Sequence, residues 1–350
     1  MRDRAAMFDL TAFTIFDVSG PGALDLVQRV AMRQMDVAHG RVVYTPLLTP
    51  SGGFRSDLTI MRLDDDVFRV VTGGAHGMAD LKWFADREPQ DGSAQVRDLT
   101  SAWCTLGLWG PRARDILSAI SGDDVSHEGF AFATCKTVEV GPLQALASRI
   151  SYVGDLGWEL YVPIEQGARL WDMVWEAGQP HGVVPAGIGV YGTTGRLEKG
   201  YRAFGFELDG EYDVVEADMA WGKVKDQDFV GRAAYERHRE QAPVTLMCTL
   251  TVDDHTASSS GAKRHMMGGE PIVTRDGDPL VDAQGRRSYV TSAGAGPSVG
   301  KHLLMSYLPP DHAVAGAQLA VEYMGDRFPV TVAVAGSTPI FDPDNTRIKS

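Results

Sequence analysis

The chain has 350 residues, 44% of them hydrophobic, enough to bury a substantial core and to build two domains or more. Its 46 acidic against 33 basic residues leave a net charge near −13, which argues against a sequence-independent grip on nucleic acid or on an anionic membrane; an anionic ligand needs a local basic patch. No apolar run approaches the roughly 20 residues that span a bilayer, and the opening Met1-Arg-Asp-Arg-Ala-Ala lacks the apolar stretch of a secretory signal, so the cytoplasm is the default compartment.

In chain order, Phe8 to Val18 reads as one strand, after which Ser19-Gly-Pro21 opens a helix with Ser19 as its cap. The segments Gly20-Pro-Gly-Ala-Leu-Asp25 and Gly110-Pro-Arg-Ala-Arg-Asp115 share a Gly-Pro-x-Ala-x-Asp pattern, each after a predicted strand, which hints at two similar strand-helix units. Between them Val43 to Leu48, Asp57 to Leu63 and Val67 to Val71 read as β, with Asp64-Asp-Asp66 as a solvated turn. From Glu165 to Ala177, Leu170, Trp171, Val174 and Trp175 mark the apolar face of a helix that Gly178 ends.

The stretch Arg149 to Tyr161 alternates around two glycines and leaves Tyr152 and Glu159 placed to face a pocket. An aromatic face and a carboxylate suit a planar heterocycle rich in N–H groups, because the carboxylate accepts adjacent donors in bidentate fashion while the ring supplies stacking area. The same residues equally fit a hairpin with core tyrosines and a solvated Glu159. Gly187-Ile-Gly189-Val-Tyr-Gly192 satisfies Gly-x-Gly-x-x-Gly, but no repeated strand-helix-strand pattern surrounds it, so it is set aside as a dinucleotide site.

The cysteines Cys104, Cys135 and Cys248 stand far apart, with neither Cys-x-x-Cys nor paired-histidine spacing, and read as small buried hydrophobes; no metal site is expected. Past residue 240 the chain turns β-rich: Pro243 to Val252, Pro271 to Thr274, Ser288 to Ser292 and Gln318 to Val334 read as strands, with Gly325-Asp326 as a turn and Thr256 to Lys263 as a surface loop. The expected division is residues 1–240 and a C-terminal β-rich domain over 241–350.

Several segments, in order, resemble the folate-dependent aminomethyltransferase family, which comprises the glycine-cleavage T-protein and the folate domains of dimethylglycine and sarcosine dehydrogenases or oxidases. They are Val18-Ser-Gly-Pro21, Tyr44-Thr-Pro-Leu-Leu48, Gly52-Gly-Phe-Arg-Ser-Asp-Leu58, Leu108-Trp-Gly-Pro-Arg-Ala-Arg114, Ser151-Tyr-Val-Gly-Asp-Leu-Gly-Trp-Glu-Leu-Tyr161, Arg196-Leu-Glu-Lys-Gly200 and Pro339-Ile-Phe-Asp-Pro343. The wording of several is nearer to the dehydrogenase-type domains than to the glycine-cleavage enzyme. The resemblance implies an α+β fold of T-protein type, with a two-lobed folate-binding core and a C-terminal barrel-like β domain. It implies one-carbon transfer from a methylated amine or similar donor to tetrahydrofolate, or else a non-catalytic folate-binding module of a methylated-amine oxidising complex.

By the same resemblance, Asp57 matches the family's catalytic aspartate, Tyr152 and Glu159 match residues that hold the pterin, and Arg196 matches an arginine that could pair with a carboxylate of the folate or the substrate. The expected partners are a small one-carbon donor and, since no flavin motif is present, a separate flavin-dependent dehydrogenase or a carrier protein. Four departures stand out. Ser56 replaces the first of two successive family aspartates, and Gly73 replaces an asparagine. Gly192-Thr-Thr-Gly-Arg196 holds one residue more than relatives do, enough to rotate a helix by about 100° unless a bulge absorbs it. Asp218 and Ala220 stand where glycines are usual. Relatives also carry several tens of residues ahead of Met7-Phe-Asp9, so either that layer is dispensable or this form needs a partner.

Overall fold

A computed structural model describes all 350 residues, and three β-sheets organise it. The first lobe is built from β2 (Thr14–Ser19), β3 (Val42–Leu48), β4 (Phe54–Asp64), β5 (Val67–Thr72) and β6 (Gln95–Asp98), in the order β3-β4-β5-β2-β6. The second takes β1 (Ala5–Asp9), β7 (Trp103–Trp109), β8 (Cys135–Val140), β9 (Leu143–Ser148), β10 (Gly157–Pro163) and β11 (Val183–Pro185), in the order β8-β9-β10-β7-β1-β11. With β1 left out, the second order repeats the first strand for strand.

The helices keep the same beat. In each lobe the first strand is followed by α1 (Ala23–Val30) or α3 (Ala113–Ile120), and the fourth by α2 (Gly77–Ala85) or α4 (Gly167–Gly178). The Gly-Pro-x-Ala-x-Asp repeat thus marks an internal duplication. Both copies turn at a glycine with positive φ, Gly20 at +114° and Gly110 at +136°, and at Gly20 a Cβ would meet the Ser93 carbonyl oxygen at 2.5 Å. Only glycine fits there. In α1, Ala23, Leu26, Val27 and Val30 fall on one face and are buried in the first-lobe core with Phe16, Phe68 and Phe84; burial of each large side chain contributes about 1.5–3 kcal/mol.

Two local features differ from the sequence expectation. The predicted strand Phe8 to Val18 is two strands in two sheets, because the chain crosses between lobes at Leu10 to Phe13; the mixed apolar and polar pattern runs on through the crossing and hid it. Ser19 caps nothing: it is the last residue of β2, and Gly22 occupies the cap position without a side-chain hydrogen bond.

The C-terminal sheet is wholly antiparallel, ordered β13 (Ile272–Val273), β16 (Gln318–Tyr323), β17 (Asp326–Ala335), β12 (Leu246–Val252), β15 (Lys301–Leu308) and β14 (Ser292–Gly296). The predicted turn at Gly325 joins β16 to β17. Strand β15 went unread in the sequence: Leu303 to Leu308 are buried without a break, so no alternation announces a strand. Ser288 to Thr291 lie before β14, tied to Leu280, Glu270, Ile272 and Met305 by backbone hydrogen bonds and by isolated bridges at Arg287 and Tyr289 rather than as a strand.

Across the three sheets only β1 and β11 pair in parallel, which is not the doubly wound arrangement a dinucleotide fingerprint requires. Cys135 and Cys248 are buried, Cys104 is partly so, and all three are free. No helix is long and apolar enough to cross a membrane.

Besides a core for each sheet, a shared apolar cluster joins Met32, Leu48 and Phe54 of the first lobe to Leu197 and Leu208 of the central segment and Met247, Leu303 and Tyr307 of the C-terminal sheet. The Arg196-Leu-Glu-Lys199 motif supplies the polar part of that junction. Glu198 receives Arg2 and the Ser298 amide and hydroxyl, and Lys199 donates to the Phe341 and Asp342 carbonyls. Glu198 is therefore a buried clasp. Asp218, in the left-handed region at φ +50°, uses its carboxylate to accept the Ser337 amide at 2.7 Å, giving an aspartate a purpose where a glycine was expected.

Candidate active site

Asp57 lies on β4 opposite Pro46 of β3, and the Tyr44 hydroxyl donates to its Oδ2 at 2.8 Å. Its other oxygen accepts no side-chain hydrogen bond. The carboxylate is half-buried, and loss of hydration raises its pKa to about 6; the Tyr44 hydrogen bond opposes that rise and the charge of Asp80 adds to it. Asp80, fully buried on α2, accepts the Ser56 and Thr72 hydroxyls, each at 2.7 Å. Ser56 thus keeps a hydrogen bond to a carboxylate where relatives carry the carboxylate itself. The register of β4 and β5, Thr59 with Val71, carried two residues on, sets Asp57 opposite Gly73, where a Cβ would meet nothing within 4 Å. Open space therefore adjoins the acid.

Glu159 sits on β10, 4% exposed, flanked by Gly107 of β7 and Ser148 of β9. Tyr161 donates its hydroxyl to Oε2, and Oε1 has no partner in the chain. Burial raises the Glu159 pKa to about 7, with the Tyr161 hydrogen bond pulling the other way. The solvated Glu159 of the alternative sequence reading is excluded by this burial.

Tyr152 and Tyr191 pack against each other near the two acids. Their ring centroids are 5.1 Å apart, and Tyr191 also packs on Phe8, Phe13 and Trp109. The charge of Asp57 acts on both phenols and that of Glu159 on Tyr191, so both acids lie within electrostatic reach of this aromatic pair. The Tyr152 hydroxyl is engaged, donating to the Arg202 carbonyl at 2.8 Å, so what Tyr152 offers a ligand is its ring.

Arg196 is near Tyr152 but points elsewhere. It is 2% exposed, and its guanidinium donates to the Gly192 and Tyr201 carbonyls, to Glu207 at 2.9 Å and to Ser292 at 2.7 Å. Every nitrogen has a protein partner, so in this conformation it is a structural tie and no carboxylate clamp. The extra residue ahead of it is taken up by a π-helix over Val190–Gly195, the bulge that leaves the flanking helix in phase. Arg202, also buried, differs: Nη1 donates to the Gly200 carbonyl, whereas Nε and Nη2 have no partner.

Sequence reasoning passed over Tyr44, Asp80 and Tyr191. Tyr44 stood in a quoted motif without a role, Asp80 gave no signal beyond an acid in a helix, and Tyr191 lay inside the glycine pattern set aside.

Family comparison accords with this architecture. Residues 1–226 match the GCVT N-terminal domain, and residues 262–342 match the glycine cleavage T-protein C-terminal barrel domain. The chain belongs to the glycine cleavage T-protein family. The aminomethyltransferase of Halothermothrix orenii is 28% identical over 92% of this chain and 85% of its own length. Dimethylglycine dehydrogenase of Rattus norvegicus is 28% identical over 99% of this chain, and 4-methylaminobutanoate oxidase (formaldehyde-forming) of Paenarthrobacter nicotinovorans is 30% identical over 99%. The chain spans only 39% and 40% of those two proteins. The glycine cleavage system aminomethyltransferase T of Bartonella henselae superposes with a TM-score of 0.82 at 22% identity, covering 98% of this chain and 88% of that one, which establishes the T-protein fold.

Proposed function

We propose that this chain transfers a one-carbon unit from a methylated amine to tetrahydrofolate. The observation that carries the reading is the pair of acids, Asp57 and Glu159, each with a raised pKa, set around the same tyrosines with an oxygen left free on each. Perturbed acids converging on one region of a fold are candidate site residues. A reduced folate fits this set: Glu159 Oε1 is an acceptor without a donor on a buried residue, the Tyr152 ring offers a stacking face, and Gly73 leaves room beside Asp57.

Tetrahydrofolate would supply the amine nitrogen that accepts the carbon. In this reading Glu159 accepts N–H donors of the pyrimidine edge while Tyr161 fixes the carboxylate's orientation. Asp57, held by Tyr44, stands beside the reacting nitrogen and takes or returns a proton; a pKa near 6 suits an acid–base group working close to neutrality. As an ionised carboxylate it also stabilises positive charge developing on an iminium donor in a dehydrated site. The names of the relatives favour amino acids bearing N-methyl groups as the donor class. An N-methyl group must lose two electrons before it can leave as a methylene unit, and we assign that step to a separate flavin-dependent dehydrogenase.

A second reading, a folate-binding module without turnover, is favoured by the engagement of Arg196, which leaves no carboxylate clamp at that position. Titration of tetrahydrofolate, followed by assay of methylene- or methyl-tetrahydrofolate with N-methyl amino acids and a flavin dehydrogenase, separates the two. Binding with turnover supports the transferase, binding without turnover for any donor supports the module, and no binding of reduced folate ends both.

A further inference from the structure

We infer that the Tyr191 hydroxyl is a ligand contact, donating a hydrogen bond to the C4 carbonyl oxygen of a reduced pterin; this rests on the folate reading above. Tyr191 is the second residue of the π-helix Val190–Gly195, and π-bulges commonly re-aim a side chain at a functional site. The ring is locked among Phe8, Phe13, Trp109 and Tyr152, with centroids between 5.1 and 6.2 Å away, and only 9% of the residue is exposed. Its direction is thereby fixed.

The hydroxyl nevertheless has no hydrogen-bond partner in the chain. The tyrosines nearest it do: Tyr152 donates to the Arg202 carbonyl and Tyr161 to Glu159. A buried phenol without an acceptor is costly unless water or a ligand meets it, and this oxygen is not among the sealed polar atoms of the interior, so it borders accessible space.

Two electrostatic facts set its role. Burial and the neighbouring acids hold the phenol in its neutral, donating form, since its pKa is raised well above the ordinary value. The charges of Glu159 and Asp57 both act on it, so the O–H lies within electrostatic reach of the acid that would accept the pyrimidine N–H groups and of the acid that would stand beside the reacting nitrogen. On a pterin, the atom between the amidine edge and N5 is the C4 carbonyl oxygen, an acceptor. A fixed donor in reach of both acids suits that acceptor.

The test uses the full chain, with Tyr191→Phe and two probes: tetrahydrofolate and its 4-amino analogue, in which an N–H donor replaces the carbonyl acceptor. Wild-type protein should prefer the carbonyl compound. Tyr191→Phe should weaken tetrahydrofolate binding about tenfold, the worth of one hydrogen bond, leave the analogue unchanged or tighter, and leave the thermal midpoint unchanged because no protein contact is lost. Equal weakening for both probes, unchanged tetrahydrofolate affinity, or a fallen thermal midpoint overturns the assignment. Wild-type protein that binds neither probe sinks the folate reading itself. Protein that binds tetrahydrofolate, weakens with Glu159→Gln and ignores Tyr191→Phe sinks only this inference.

Discussion

Tyr44 and Asp57 face each other across the β3–β4 pair, the phenol donating to Oδ2 at 2.8 Å while the rest of the carboxylate is left free. The hydrogen bond orients the acid and stabilises its ionised form, yet desolvation prevails and the pKa still rises to about 6. Asp57→Asn preserves the acceptor for Tyr44 and removes the ionisable group. Turnover should fall by about 10²–10⁴ with little change in folate affinity. A pH–rate profile of the wild type should rise through about 6 if the ionised form is the active one, and a flat profile from pH 5 to 8 would rule that out.

Tyr44→Phe removes the one side-chain donor to Asp57. The Asp57 pKa should move further up, so the rising limb of the pH–rate profile should shift to higher pH while the plateau is retained. A plateau reduced as deeply as in Asp57→Asn would instead mean that Tyr44 acts on the substrate itself.

Glu159, with a pKa raised to about 7, is substantially protonated near neutrality in the free protein, and pairing with N–H donors favours its ionised form. Folate binding should therefore release a proton below about pH 7, and affinity should increase as pH rises through that value. Calorimetry in buffers of differing ionisation enthalpy measures the release; no buffer dependence at pH 6.5 contradicts the role. Glu159→Gln should abolish the effect.

Both acids also bear on stability. Each folded-state pKa lies above the unfolded value near 4, so between about pH 4 and 7 the folded protein holds protons that the unfolded chain has released. Their contribution is neutral below about pH 4, becomes increasingly unfavourable as pH rises through the window, and is constant above it. Asp57→Asn with Glu159→Gln should flatten that part of the stability profile in denaturant titrations; an unchanged slope would place its origin elsewhere.

Arg196 and Arg202 are both buried, but only Arg196 has a carboxylate partner, Glu207 at 2.9 Å. Removing Arg196 strands Glu207, so Arg196→Met should destabilise the protein by about 3–5 kcal/mol. Arg202→Met removes a cation with two unpartnered nitrogens and should be neutral or stabilising. Unfolding in urea compares them directly, and an equal loss in both would mean that Arg202 has a counter-charge in solution.

The sequence alone settled what local pattern and motif order can settle. The Gly-Pro-x-Ala-x-Asp repeat hinted at a duplicated lobe, strand-like composition between turn signals marked β3 to β5, and the ordered motifs led to the family and to Asp57, Tyr152 and Glu159 as candidates. These are readable because turns, periodicity and short polar signatures depend on neighbours in the chain.

Whether Arg196 faces a ligand or a buried glutamate was decided only by the fold, since Glu207, Ser292 and Gly192 converge on it from separate segments. The break between β1 and β2, the buried run of β15, and the unpartnered Tyr191 phenol under the charge of two acids were likewise invisible in the sequence. Direction, desolvation and partner choice belong to packing in three dimensions, where residues more than 100 positions apart set one another's charge and orientation.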